Sequence, residues 1–239
     1  MYKNSNNIVK DSTVSTPDWL AKKIAHEVAR KGFRNIIDIG CNDFALSKPL
    51  MRKGSRVLGV DLNDCQEHAN KLGVEFLHLD FLESSRNDYP FKPDLIVMNP
   101  PFARHGNELM PHLFIKKAFE LWGTTANIIT LAGSWYMSNS HKRMADIQGG
   151  EGFGRLTKQI TLHKNTFEPL SVESVCLFWN IGTKKPIELW SKPAAKPKQA
   201  TRTISLSQAQ NAYLRKKHKK DFASYVRGLI TENDPNFPQ

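Results

Sequence analysis

Cysteine is scarce in this chain: three residues in 239, at Cys41, Cys65 and Cys176, an odd number with wide gaps between them. No pair has the spacing of a zinc knuckle or a redox motif, so no disulfide framework is expected and free thiols suit a reducing, cytoplasmic setting. Eight histidines are scattered without ligand spacing, and no metal is expected. Cys176 lies in Val175-Cys176-Leu177-Phe178-Trp179 and reads as core. Long apolar runs are missing as well, which excludes a membrane-spanning helix from the expectation. The first residues, Met1 to Asp11, carry no apolar stretch, so no secretory leader is expected. Acids are absent from one region: between Ser191 and Lys220 there is none, against nine basic residues, Lys192, Lys196, Lys198, Arg202, Arg215, Lys216, Lys217, Lys219 and Lys220. That stretch supplies nine of the net charge of +11 and leaves the body near neutral. Such a tail predicts a polyanionic partner, nucleic acid before membrane.

What is present alternates. Ser15-Thr16-Pro17-Asp18 places a hydroxyl before proline and an acid, a helix-start signal, and Trp19, Leu20, Ile24, Ala25 and Val28 follow at helical spacing. Strands are predicted at 35–40, 56–61, 74–81, 94–98 and 126–131, with helices at 45–53, 66–72 and 113–121 between them. Gln159–His163 and Ser174–Ile181 read as an antiparallel pair across a turn at 165–169. Nearly continuous apolar strands alternating with helices predict a parallel sheet covered on both faces, an α/β fold. The chain then divides into a domain over 1–190 and, over 191–239, a basic Pro/Ala/Lys linker with a C-terminal helix.

Ligands of open α/β sheets bind beyond the carboxyl ends of the strands. The first four predicted strands each end there in polar groups: Asp38-Ile39-Gly40-Cys41-Asn42, Asp61-Leu62, Asp80-Phe81 and Asn99-Pro100-Pro101-Phe102. The first runs into the helix predicted at 45–53, whose N-terminus can hold an anionic group. Asp61 follows Asp38 at the spacing at which an acid receives both ribose hydroxyls. A single Asp at a strand end is more often a turn or cap than a ligand. Three in succession, followed by Asn-Pro-Pro-Phe, are hard to explain as caps. In that tetrapeptide the prolines fix φ and remove N–H groups. The amide oxygen and a neighbouring carbonyl can both accept from one NH2 group, while the phenyl face stacks on the ring that bears it.

On these residues the stretch from Ser15 to Trp190 resembles class I S-adenosylmethionine-dependent methyltransferases, and within them the amino-methyltransferases that modify adenine in nucleic acid. The resemblance implies a Rossmann-like, mostly parallel seven-stranded sheet with helices on both faces and an antiparallel C-terminal strand pair. It implies S-adenosylmethionine as cofactor, with Asp38, Gly40 and Cys41 at its methionine part, Asp61 at its ribose, Asp80 and Phe81 at its adenine, and Asn42 and Leu62 also at the cofactor. Thr16 and Pro17 resemble the segment that borders the donor site in DNA adenine methyltransferases. Asn99, Pro100, Pro101 and Phe102 would hold the target amine. DNA is the favoured substrate and RNA the alternative. A protein glutamine and a catalytically degenerate nucleic-acid-binding module are the remaining readings. One departure stands out: where the family has glycines in the first loop this chain has Asn42 and Phe44, and Phe44 is expected to narrow the donor pocket. Residues 135–159 hold no recognition domain and read as a glycine-rich lid around Gly149–Gly154. Arg104, His105, Trp135, Tyr136 and His141-Lys142-Arg143 are weaker candidates for base or phosphate contacts.

Overall fold

A computed structural model describes residues 14–137, 140–147, 152–168, 171–182 and 187–190. The chain divides into two units, Met1–Pro193 and Ala194–Gln239, and every described residue lies in the first. The expectations for the tail, including the run Arg215–Lys220, lie outside the described residues. No helix among those described is long and apolar enough to cross a membrane.

The elements are α1 (Asp18–Val28), β1 (Asn35–Ile39), β2 (Arg56–Asp61), α2 (Gln66–Leu72), β3 (Glu75–His78), β4 (Leu95–Met98), β5 (Arg104–His105), β6 (Glu108–Leu109), α3 (Met110–Trp122), β7 (Ile128–Gly133), α4 (His141–Ile147), β8 (Leu156–Leu162), β9 (Ser174–Trp179) and β10 (Ile187–Trp190). Eight strands form one sheet in the order β10-β8-β9-β7-β4-β1-β2-β3, while β5 and β6 make a separate two-residue hairpin. Neighbours from β3 to β7 pair in parallel, and β9 runs against both β7 and β8. The α/β class expected from the sequence is therefore found, with β10 added as an eighth strand beside β8.

Burial follows composition. Leu95-Ile96-Val97-Met98 and Ile128–Gly133 are buried at every position, as strands covered on both faces must be. One face packs Ile37, Ile39, Leu58 and Val60 against the aromatic side of α3, where Phe114, Phe119 and Trp122 lie. The other packs Ile36, Val57, Leu95, Val97 and Ile129 against Leu20, Ile24 and Val28 of α1. A core of this kind stabilises by about 25 cal/mol for each Å² of apolar surface removed from water.

The helix expected at 45–53 is not there: only a 3₁₀ turn, Lys48–Leu50, follows the loop. Phe44, at φ 60°, breaks the helical path before it can begin, and Pro49 offers no N–H to extend it. The anion site expected at that helix's N-terminus is therefore absent as well.

Candidate active site

All four predicted strand ends lie along one edge of the sheet, because β1 is flanked by β2 and β4 in parallel register. The first loop turns tightly at Gly40, whose φ is 70°, and the Gly40 and Cys41 N–H groups both donate to the Val60 carbonyl. Asn42 and Phe44 are also left-handed, at φ 45° and 60°. Asn tolerates this; for Phe the conformation costs about 1–2 kcal/mol. Phe44 does not narrow the pocket as the sequence suggested. Its ring is fully buried beneath the loop with Cys41, Cys65 and Ala69. It lies on Gly59 of β2, where a Cβ would come within 2.3 Å of the ring. Burying a phenyl group is worth about 1.5–3 kcal/mol, which offsets the strain.

Three carboxylates surround this loop. Asp61 Oδ2 accepts from the Asn42 N–H at 3.0 Å, and Oδ1 accepts from the Asn63 N–H at 2.8 Å. Asp43 Oδ2 accepts from the Ser15 hydroxyl at 2.7 Å. Asp38 is buried in β1, and its Oδ2 has no hydrogen-bond partner among the described residues. Burial pushes its carboxyl up to about 7; Ser47 beside it opposes the shift, and Asp43 and Asp61 add to it. A buried, half-satisfied carboxylate facing other acids favours a cationic ligand. Leu62, after Asp61, is an exposed large apolar side chain. Its carbonyl lies 2.9 Å from His78 Nε2.

At the next strand, the Asn99 amide nitrogen donates to the Val14 carbonyl at 3.1 Å and to Thr16 Oγ1 at 3.2 Å. Both amide hydrogens are thus taken by one segment, and Oδ1 is the end left to accept from a ligand. Thr16 and Pro17 were expected at the donor and as a helix cap. Pro17 does stand at the N-cap of α1, and its ring has no acceptor to make a side-chain cap bond; the Thr16 hydroxyl accepts from Asn99 instead. Residues 14–17 therefore form a strap that holds the first loop through Ser15 and Asp43, and the clamp through Thr16 and Asn99. The two lie close together: a Cβ on Gly40 would sit 3.7 Å from the Asn99 carbonyl oxygen. Pro100 is buried and Pro101 exposed. Half-buried Phe102 is met edge-on by Phe167, with ring centroids 5.9 Å apart, a brace from the β8–β9 turn that sequence reasoning missed.

The third strand end needs correction. Asp80 accepts from the Leu82 N–H and so caps a short 3₁₀ turn. The Phe81 ring is only 4% exposed. It stacks on Trp122 and touches Phe114 in the core, which leaves no face for an adenine. The weaker candidates change too. Tyr136 is buried, and Arg143 is buried over its ring with Nε donating to the Tyr136 carbonyl, so neither is placed for base or phosphate contact. His112 of α3 lies between Tyr136 Oη at 3.3 Å and Asp146 Oδ2 at 3.2 Å, tying α4 to α3. Of the expected lid, Phe153 stacks on His112. Gly154 lies so close to the Thr124 carbonyl that a Cβ would come within 2.5 Å. That end of the stretch belongs to the core. Arg104 stands on the β5–β6 hairpin, its guanidinium donating to the Asn107 carbonyl.

No protein-family model and no curated protein matches the sequence. Solved structures do match the fold. A Listeria monocytogenes protein assigned as a class I S-adenosylmethionine-dependent methyltransferase superposes with TM-score 0.58 at 16% identity, covering 74% of this chain and 65% of its own. The methyltransferase subunit of a type I restriction-modification system from Streptococcus thermophilus gives 0.57 at 16% identity, over 95% of this chain and 59% of its own. A modification subunit assigned to a type I restriction enzyme of Vibrio vulnificus gives 0.55 at 10% identity, over 94% and 54%. The chain thus spans between 54% and 65% of the length of these proteins. Its fold is the Rossmann-like fold of class I methyltransferases.

Proposed function

We propose that the protein transfers a methyl group from S-adenosylmethionine to the exocyclic amine of adenine in nucleic acid, with DNA as the substrate. The observation that carries the reading is the Asn99 amide, held by Val14 and Thr16 beside the Gly40 turn. It brings an acceptor for an NH2 group against a loop lined with carboxylates. The donor fits that loop on one further ground: the unpartnered Asp38 oxygen is suited to the ammonium of its methionine part. Asp61 retains acceptor capacity for ribose hydroxyls after its backbone bonds, and exposed Leu62 offers an apolar cover beside it. S-adenosylmethionine supplies a methyl group already activated by a sulfonium centre. The chain's own task is alignment, worth up to about 7–11 kcal/mol when the reacting atoms are held in line. Asn99 Oδ1 accepts from the target amine and raises electron density on its nitrogen, and Phe102, braced by Phe167, covers the base. A base in duplex must leave the stack to reach this edge.

DNA is favoured over RNA because the two restriction-modification subunits share the fold over nearly all of this chain. The strap, set ahead of the first strand, also resembles the segment found in DNA adenine methyltransferases. Incubation with labelled donor and unmodified DNA, total RNA or protein, followed by digestion to nucleosides and amino acids, tests the assignment. Label in N6-methyldeoxyadenosine is expected. Label in methyladenosine moves the substrate to RNA, and label in glutamine overturns the nucleic-acid reading. Asn99→Ala should lower transfer by at least ~100-fold while calorimetric donor affinity stays within about threefold. Retained transfer would remove Asn99 from the clamp.

A further inference from the structure

Cys41 and Cys65 stand 24 positions apart in a chain where cysteine spacing shows no metal motif, yet the fold brings them together. Cys41 follows β1 and Cys65 precedes α2; both are buried, and they lie side by side next to Phe44. Asp61, at the end of β2, points its carboxylate at the same spot. The two Sγ atoms and one Asp61 oxygen lie within 4.8 Å of one another. We propose that Cys41, Cys65 and Asp61 form a binding site for a thiophilic divalent cation of the zinc type.

The donor set argues for the class of ion. Two sulfurs and one carboxylate oxygen suit zinc or cobalt and do not suit magnesium or calcium, which take oxygen ligands. On a tetrahedral ion with zinc–sulfur and zinc–oxygen bonds, neighbouring ligand atoms lie about 3.5–3.8 Å apart, so the observed cluster needs only a small closure. The fourth position is left to water. Asp61 is held in orientation by the Asn42 and Asn63 N–H groups, the kind of outer support that fixes a ligand carboxylate. The charges that act on the thiols are carboxylates: Asp38 and Asp61 on Cys41, and Asp61, Asp64 and Asp43 on Cys65. His68, 3.3 Å from the Asn42 carbonyl, is the nearby imidazole. A cation is welcome in such a field. Cysteine thiols ordinarily carry their protons near neutral pH, so binding exchanges one M²⁺ for two thiol protons: two S–H bonds break, two metal–sulfur bonds form, and the net charge of the cluster is unchanged. Because the same Asp61 carboxylate serves the donor's ribose in the function proposed above, ion and donor compete; this clause alone rests on that reading.

The test uses the full-length chain with its thiols reduced. Cobalt(II) should produce thiolate-to-metal charge-transfer absorption in the near ultraviolet and visible ligand-field bands of a tetrahedral site, both abolished by zinc. Cys41→Ser and Cys65→Ser should each weaken zinc binding by more than ~100-fold, beyond the ~10–100-fold that outer-shell changes cost, whereas Cys176→Ser leaves it unchanged. Calorimetry with zinc in buffers of different ionisation enthalpy should show about two protons released per ion by the unaltered chain, a reading that needs no variant. Absence of the charge-transfer band, or proton release near zero, overturns the site. S-adenosylmethionine added to the cobalt form should bleach the bands; bands unchanged at saturating donor overturn the shared carboxylate. The cobalt and proton readings do not depend on methyl transfer, whose own test is the labelled-donor incubation, run on the metal-free chain.

Discussion

Asp38 at the end of β1 and Phe44 in the loop that follows each place there something the fold must offset, a buried carboxyl in one case and a left-handed backbone in the other. Burial raises the Asp38 carboxyl from 3.8 to about 7. The folded chain therefore holds that proton more tightly than the unfolded chain, and between about pH 4 and pH 7 its contribution to stability falls as pH rises. Thermal melts of the ligand-free protein should lose stability from pH 5 towards pH 8, and Asp38→Asn should flatten that slope. Donor affinity should move the opposite way, rising through about pH 7 as the carboxylate ionises to meet an ammonium, which calorimetry at several pH values checks. At Phe44 the strain is local and the return is packing. Urea melts should show Gly59→Ala destabilised by about 1–3 kcal/mol, since a methyl group would overlap the Phe44 ring. Phe44→Ala should cost about 3–5 kcal/mol. Asn42→Gly should stay within about 1 kcal/mol of the parent, because that position already asks for φ above zero. If Phe44→Ala proved neutral, the ring would not be what holds the loop.

Among the elements, β8 shows how a charge reaches the interior. Lys158 is buried on it and pairs with Glu27 of α1, while the rings of Phe178 and Trp190 flank its ammonium. Glu27→Gln, which removes this carboxylate from beside a buried ammonium, should destabilise the chain, and Lys158→Met should cost less; differential melting of the pair decides this. A buried lysine is not legible in Leu156–Leu162, which reads as an ordinary alternating strand. The fully buried strands were legible, because β4 and β7 have to be apolar throughout. The β8–β9 pair was legible because a turn separates two runs. The missing helix after β1 was not: Ala45–Lys53 has helical composition, and its failure depends on the torsion at Phe44. The edge strand β10 was equally hidden, since Ile187 on it is 78% exposed and the segment is only four residues long.

At the scale of the molecule, the candidate site was legible in outline because the sheet's topology sends every parallel strand to the same edge. Asp38, Asp61, Asp80 and Asn99 could be aligned on that rule alone. What stayed hidden were meetings made only by folding: Cys41 with Cys65, Thr16 with Asn99, and Phe44 with Gly59. Phe81 misled for the same reason, since nothing local tells an aromatic at a strand end whether it faces the cleft or the core. The basic tail belongs to this scale as well. Removing it at Ser191 should weaken nucleic-acid binding and flatten its salt dependence by about 0.9 logarithmic units for each phosphate that the tail had neutralised, measured by fluorescence anisotropy across a salt series. An unchanged slope would mean the tail does not dock on phosphate. The strap sets a different kind of condition. Val14 and Thr16 meet Asn99 across 85 and 83 residues of sequence. Pairings of that separation bear a loop-closure cost and form late. During synthesis the strap leaves the ribosome before the strands and waits for β4, so a nascent chain can order β1, β2 and β3 while Asn99 still lacks its hold. Asn99 then gains its hold only once β4 has been made, and Phe102 meets its Phe167 brace later still, after β8.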